Sequence, residues 1–199
     1  MKHVLEISYG TSSMLLSRFE AMLFPVQSEE EVPACLEALK KAFPKADHYP
    51  YGYVLKGRSK SSDDGEPGGT AGRPLASLLE SEDIEGLLGV ARYFGGTKLG
   101  TGNLRRCFVD AGKDAISKAR LAKEEERFRY RLVVSYADFE TLRRLSSRHD
   151  FEIVDVEYGE EVATTILSRG KLKGVLEAIG IFDPALGKEE RVIVLSECK

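Results

Sequence analysis

The stretch Leu87-Leu88-Gly89-Val90-Ala91-Arg92-Tyr93-Phe94-Gly95-Gly96-Thr97-Lys98-Leu99-Gly100-Thr101-Gly102-Asn103 reads as a strand, a glycine-rich turn and the start of a helix in direct succession. Its continuous apolar run fits a buried strand, bounded before by Ile84 and after by the turn. The helix it feeds is expected over about 103–121, with Leu104, Phe108, Ala111, Ala115 and Ala119 three or four residues apart on one inner face. Thr101 or Asn103 is the expected cap. A turn of this kind, opening directly into a helix, presents free backbone N–H groups and the positive end of the helix dipole, which suits an anion.

A second glycine-rich stretch lies about twenty residues upstream: Ser61-Ser62-Asp63-Asp64-Gly65-Glu66-Pro67-Gly68-Gly69-Thr70-Ala71-Gly72-Arg73-Pro74. Glycine loses more backbone freedom on folding than any other residue, so such density needs a reason, either positive φ or close approach of backbone to a ligand. The two loops differ in charge. The first is acidic. The second belongs to residues 92–120, which hold seven Lys or Arg against two Asp, although the chain as a whole carries a formal net charge of −3. That local excess favours a phosphate-bearing partner.

The named nucleotide motifs do not fit. Gly95 to Gly100 has the first spacing of a phosphate-binding loop, but Thr101-Gly102 stand where Lys-Ser/Thr is required, and Gly100-x-Gly102 lacks the third glycine of the dinucleotide fingerprint. A tight strand-to-helix connection with solvated arginines outside accounts for the same residues. In the acidic loop, Asp63, Asp64 and Glu66 suffice to hold Mg²⁺ or Ca²⁺. A turn network of Asp side chains, pairing with Arg73 or Arg92, is the favoured account, since no specific metal-loop pattern is met. Tyr49, Tyr51 and Tyr53 alternate onto one face of a strand, either to stack bases or to pack.

Around the loops, strands are expected over 3–9, 17–26 and Tyr49–Leu55, the last an edge strand because of Pro50. A helix over about 28–43 opens on a Ser28/Glu31 capping box and ends at Pro44. A short helix follows Pro74. Lys123-Glu124-Glu125-Glu126-Arg127 is the expected linker. After it come a strand over Phe128–Tyr136, a helix over about 138–148 closed by His149, strands over 151–158 and 161–168, a helix over about 170–179 and a strand over 191–197. This is the βαββαβ order of a ferredoxin-like domain.

At 199 residues with 42% hydrophobic and 31% charged content, the chain is an ordinary globular protein. Its longest apolar run falls far short of the roughly 20 residues of a membrane helix, and its N-terminus is no signal peptide. Cys35, Cys107 and Cys198 are odd in number and widely separated, so reduced cytosolic thiols are expected, with Cys107 inert on the inner helix face. No cofactor or metal pattern is present.

The two glycine-rich stretches, with Ser17-Arg18-Phe19 and His48 before the tyrosine strand, resemble the signature of the YigZ/IMPACT family across about residues 14–120. That resemblance implies an α+β protein: an N-terminal ribosomal protein S5 domain 2-like domain (1–124) and a ferredoxin-like domain (125–199) similar to the last domain of elongation factor G. Eukaryotic members regulate translation through an activator of a stress kinase and carry a further N-terminal domain, so that role is not expected here. For bacterial members the implied role is a cytoplasmic, non-enzymatic protein that binds RNA or the ribosome and adjusts translation. The phosphate-contacting residues would be Arg92, Gly95, Gly96, Lys98, Gly100, Thr101, Gly102, Arg105 and Arg106. The pocket rim would be His48, Asp63, Asp64, Gly65, Glu66, Pro67, Thr70, Tyr93 and Phe94. Two rivals stand beside this reading: a divalent-metal phosphate-ester hydrolase at Asp63, Asp64 and Glu66, and a module binding a protein partner in translation control.

Overall fold

Leu87–Ala91 forms the middle of strand β6 (Ile84–Tyr93), and both of its faces are covered. This is seen in a computed structural model that describes residues 1–146, 150–178, 185–186 and 190–198. The chain divides into two compact units, Met1–Lys123 with Glu197–Lys199, and Glu124–Ser196.

In the first unit, strand β1 (Lys2–Val4) runs parallel to the start of β6. Strands β2 (Ser8–Met14) and β3 (Ser17–Phe24) make a hairpin, and β3 lies antiparallel to β6. On the other side, β4 (Tyr51–Leu55) pairs with β6 and with β5 (Arg58–Ser62). The side-chain alternation of β6 sends Leu88 and Val90 to one face of this sheet and Leu87 and Ala91 to the other. Leu88 and Val90 pack with Phe19 and Leu23 under two helices, α2 (Gly72–Ser81) and α3 (Thr101–Ser117). Leu87 and Ala91 pack with Phe24 and Tyr53 under helix α1 (Val32–Ala42). A strand covered on both sides has no polar face, which is why its sequence is continuously apolar. Helix α3 presents Leu104, Phe108, Ala111 and Ala115 to the core, with Cys107 beside them. Phe108 meets Phe19 edge to face, with ring centroids 4.9 Å apart.

The second unit contains most of β7 (Leu121–Val134), helix α4 (Tyr136–Leu145), β8 (Phe151–Tyr158), β9 (Val162–Ser168), helix α5 (Leu172–Ala178), a two-residue strand β10 (Ala185–Leu186) and β11 (Glu190–Glu197). Strand β7 pairs with β9 and β11, and β9 pairs with β8, giving the ferredoxin-like order β11-β7-β9-β8. The core is built from Leu132, Phe139, Leu142, Ile166 and Leu172, among others. The protein therefore has a two-domain α+β fold.

Several expectations are corrected. The strand expected over 3–9 is two strands, because β1 pairs with β6 whereas β2 pairs with β3. Strand β4 is an inner strand. Pro50 precedes it and contributes only its carbonyl, which accepts from the Val90 N–H at 2.9 Å. The true edge is β5, whose last two residues, Ser61 and Ser62, were read as the start of the acidic loop. Ser28 makes no side-chain cap. Glu29–Glu31 forms a 3-10 turn, and α1 starts at Val32 with Pro33 in its first turn, where the missing N–H costs nothing. The charged run Lys123–Arg127 is no linker but part of β7, its charges paired along the strand, as in Arg127–Glu125 at 2.9 Å, and across strands, as in Arg191–Glu126 at 3.6 Å. His149 lies outside the described residues.

Candidate functional site

Both glycine-rich loops face one cleft in the first unit, with a volume of about 490 Å³. Asp47, His48, Gly65, Glu66 and Pro67 line one side, and Arg92, Phe94, Lys98, Leu99, Gly100, Thr101 and Leu104 the other. Strand β6 delivers Arg92 and the second loop, while the segment after α1 bridges to β6 in antiparallel fashion at His48 and Arg92. This bridge puts His48 beside Arg92 across the strands, 44 positions apart in sequence.

The acidic loop is fixed from within by its own carboxylates. Asp63 accepts hydrogen bonds from the backbone N–H groups of Gly69 (2.8 Å), Ala71 (3.1 Å) and Gly72 (2.8 Å). Burial pushes its carboxyl upward, but the three N–H bonds outweigh this and hold it below the usual aspartate range. Asp64 accepts from the Tyr49 N–H at 2.7 Å. Its carbonyl oxygen lies 2.7 Å from Nδ1 of His48. A carbonyl can only accept, so Nδ1 carries the hydrogen and neutral His48 is left with Nε2 as an acceptor. Glu66 turns inward: Nη1 of Arg92 donates to both of its oxygens, at 2.7 and 2.6 Å, and both side chains are at least nine-tenths buried. The three carboxylates thus serve three separate partners, and no group of His, Cys, Asp or Glu among the described residues forms a metal-ligand set. The acidic trio is a loop-fixing network.

Arg92 is a buried wall residue of the cleft, held by Glu66 and lying over Phe19 and Phe94, whose ring centroids are 5.7 and 5.5 Å away. Its Nε has no hydrogen-bond partner. The start of α3 departs from expectation. Gly100 occupies the cap position with φ +76°, and no side chain caps the helix. Asn103 instead donates its side-chain amide to the Leu99 carbonyl at 3.1 Å. Leu99 is buried and anchors the loop, while Lys98 and Thr101 are exposed.

Other sequence-selected residues lie outside the cleft lining. Gly95 rests against the β2–β3 hairpin, where an added Cβ would come within 2.2 Å of the Leu16 backbone, and its N–H donates to Ser17 Oγ at 3.0 Å. Tyr93 donates its hydroxyl to the Pro44 carbonyl at 3.1 Å and carries Arg18 over its ring at 4.5 Å. Thr70 is buried within its own loop, its hydroxyl donating to the Pro67 carbonyl at 2.6 Å. Gly96 and Gly102 are exposed, as are Arg105 and Arg106 on the outer side of α3, where Arg106 pairs with Asp110 at 3.5 Å. Tyr51 and Tyr53 stack on each other and pack with Tyr49 against α1, which makes them core, not a base-stacking surface. Asp47, Leu99 and Leu104 line the cleft without having been selected. Asp47 accepts from the Phe94 N–H at 2.7 Å, a contact across 47 positions that no local pattern signals.

A fold of this kind, with paired loops framing one cleft, matches the Impact N-terminal domain over residues 16–116 and a domain of unknown function (DUF1949) over residues 132–170. The chain belongs to the IMPACT family. It is 32% identical to the IMPACT family member YigZ of Escherichia coli over 71% of this chain and 72% of that protein. It is 31% identical to YvyE of Bacillus subtilis over 73% and 69%. A Thermus thermophilus member is 39% identical over 52% of this chain and 56% of that one. A crystal structure of a hypothetical protein superposes with a TM-score of 0.58 at 25% identity, covering 93% of this chain and 95% of the other. The names of these relatives specify no reaction. No described helix is long and apolar enough to cross a membrane.

Proposed function

We propose that this protein binds RNA, free or at the ribosome surface, through the α3 side of its first unit, and so adjusts translation without itself catalysing a reaction. The observation that carries this reading is the convergence of both glycine-rich loops on one cleft at the uncapped start of α3. Lys98 lies at that cleft, and Arg105 and Arg106 are exposed in the adjoining turns of the helix. Backbone N–H groups at a helix start and mobile cations outside it are a general means of holding phosphates. Because the chain is net acidic, binding must come from this local excess.

The test is fluorescence anisotropy of a labelled single-stranded RNA across a range of KCl concentrations. Affinity is expected to fall steeply with salt. Lys98→Ala, Arg105→Ala and Arg106→Ala should each flatten the log–log slope by about 0.7, the counterion release of one phosphate on a single strand. A slope near zero, or one unchanged in the triple variant, rejects this surface.

A further inference from the structure

Strand β11 reads Glu190-Arg191-Val192-Ile193-Val194-Leu195-Ser196-Glu197, with its charges at the ends and none between Arg191 and Glu197. Among the described residues it pairs with β7 alone, which makes it an edge of its sheet. Edge strands ordinarily carry a lysine, a proline or a bulge that discourages pairing with another chain. The middle of β11 has neither charge nor proline, and its apolar side chains stand in solvent, Ile193 70% and Leu195 56% exposed. An open, uncharged, apolar edge is a template for one more strand.

The two sides of β11 can be told apart. The N–H of Cys198, one residue past the strand, donates to the Leu121 carbonyl at 2.7 Å, so Cys198 addresses β7. Backbone groups of successive residues alternate in direction along a strand, so Ser196, Val194 and Val192 address β7 as well. Arg191, Ile193, Leu195 and Glu197 therefore turn their N–H and C=O groups to the open side. The side chains keep the same alternation. Ser196 donates to Glu125 at 2.8 Å on one face of the sheet, whereas Arg191 lies over Phe128 on the other, 5.8 Å from its ring centroid.

We propose that β11 pairs antiparallel with β11 of a second copy of this chain, about a two-fold axis through Val194. Opposed residues of an antiparallel ladder share one hydrogen-bonding class, so open-side residues must oppose open-side residues and the axis must pass through a residue, not between two. An axis at Val192 sets Arg191 against Ile193, one at Ile193 sets Arg191 against Leu195, and one at Leu195 sets Ile193 against Glu197. Of these, only the axis at Val194 sets Arg191 against Glu197 and Ile193 against Leu195, each twice by symmetry. Charge then meets opposite charge and apolar meets apolar. The Arg191 and Glu197 side chains are 71% and 50% exposed beyond their contacts with Glu126 and Arg120, which leaves both able to take a second partner. This inference does not depend on the RNA-binding reading.

The experiment is sedimentation equilibrium of the full chain from micromolar to submillimolar concentration. The wild type is expected to reach twice the mass of one chain. Ile193→Lys, which sets a charge in the open edge, should stay monomeric with an unchanged far-UV circular dichroism spectrum. Arg191→Glu and Glu197→Arg should each weaken association about tenfold, because two opposite-charge pairs become two like-charge pairs. Mixed together, these two variants should associate as the wild type does, since the mixed dimer has an opposite-charge pair at both places. Loss of fold in either variant cannot produce that rescue. Val194→Cys should oxidise to a disulfide-linked dimer, because Cα atoms of a non-hydrogen-bonded pair lie about 4.5 Å apart, within reach of a disulfide, whereas Val192→Cys should not. A wild type that stays monomeric throughout overturns the inference, and so does a dimer that Ile193→Lys leaves intact. Failure of the mixed variants to associate, or crosslinking at Val192 as readily as at Val194, overturns the Val194 axis.

Discussion

Glu66 and Arg92 place two opposite charges inside the protein, and their mutual contact is what makes that burial tolerable. Removing one partner leaves the other charged and desolvated. Glu66→Ala is therefore expected to lower the unfolding free energy by about 3–5 kcal/mol, read from urea denaturation. Replacing both, as Glu66→Leu with Arg92→Met, should cost much less than the two single changes summed. Additive losses would mean the pair is not coupled. Asp63 acts on the same loop through charge-assisted hydrogen bonds, and Asp63→Asn should cost about 1.5–3 kcal/mol. The sign of its pH dependence follows from the lowered folded-state carboxyl. Its stabilisation is complete above the unfolded aspartate value of about 3.9 and is lost as pH falls through the lower folded value. Stability curves from pH 6 to pH 2 should show this acid loss in the wild type and a smaller one in Asp63→Asn. Cys107, buried under α3, has its thiol pushed up by burial and by Asp110, against the weaker pull of Arg106 and Arg92. It should resist alkylation at neutral pH until the protein unfolds.

The β2–β3 hairpin turns on Leu15 and Leu16, both with positive φ, at +45° and +63°, joining Met14 to its partner Ser17. A two-residue loop of this form favours Asn-Gly, and a left-handed leucine carries a steric penalty. Leu16 is also 91% exposed. Leu15→Asn with Leu16→Gly should raise stability by about 1–2 kcal/mol, measured by thermal or urea unfolding. No change would mean that the strained turn is relieved elsewhere. This element also explains a gap in sequence reading. The strand after Leu15-Leu16 is legible, but β2 before it was read only at its first two residues, and the turn is written in residues that give no turn signal. Edge and centre were likewise misassigned for the tyrosine strand, because Pro50 marks a proline without showing which neighbour its carbonyl meets. The inner face of helix α3 was legible, since Leu104, Phe108, Ala111 and Ala115 share one face whatever they pack on, although the helix ends at Ser117, before Ala119.

For the molecule as a whole, a net charge of −3 sets the background against which any phosphate contact must act. RNA affinity should depend on where cations sit, not on their number. Removing exposed cations from the second unit, as Arg129→Ala or Arg131→Ala, should leave binding and its salt slope unchanged, whereas Lys98→Ala weakens both. Equal losses at both places would point to diffuse attraction instead of a site.

The sequence by itself determined most of the helices, the buried strand, the α+β class and the family, because apolar periodicity and glycine-loop spacing are local and survive without knowledge of partners. It also marked both loops of the cleft. Tertiary structure alone decided which loop charges face the cleft and which face each other. The pairing of Arg92 with Glu66, and the placing of Asp47 and His48 at the cleft, depend on segments 26 to 47 residues apart being brought into contact by β6. Whether a guanidinium meets solvent or a buried carboxylate is set by that long-range packing, and one-dimensional spacing carries no record of it.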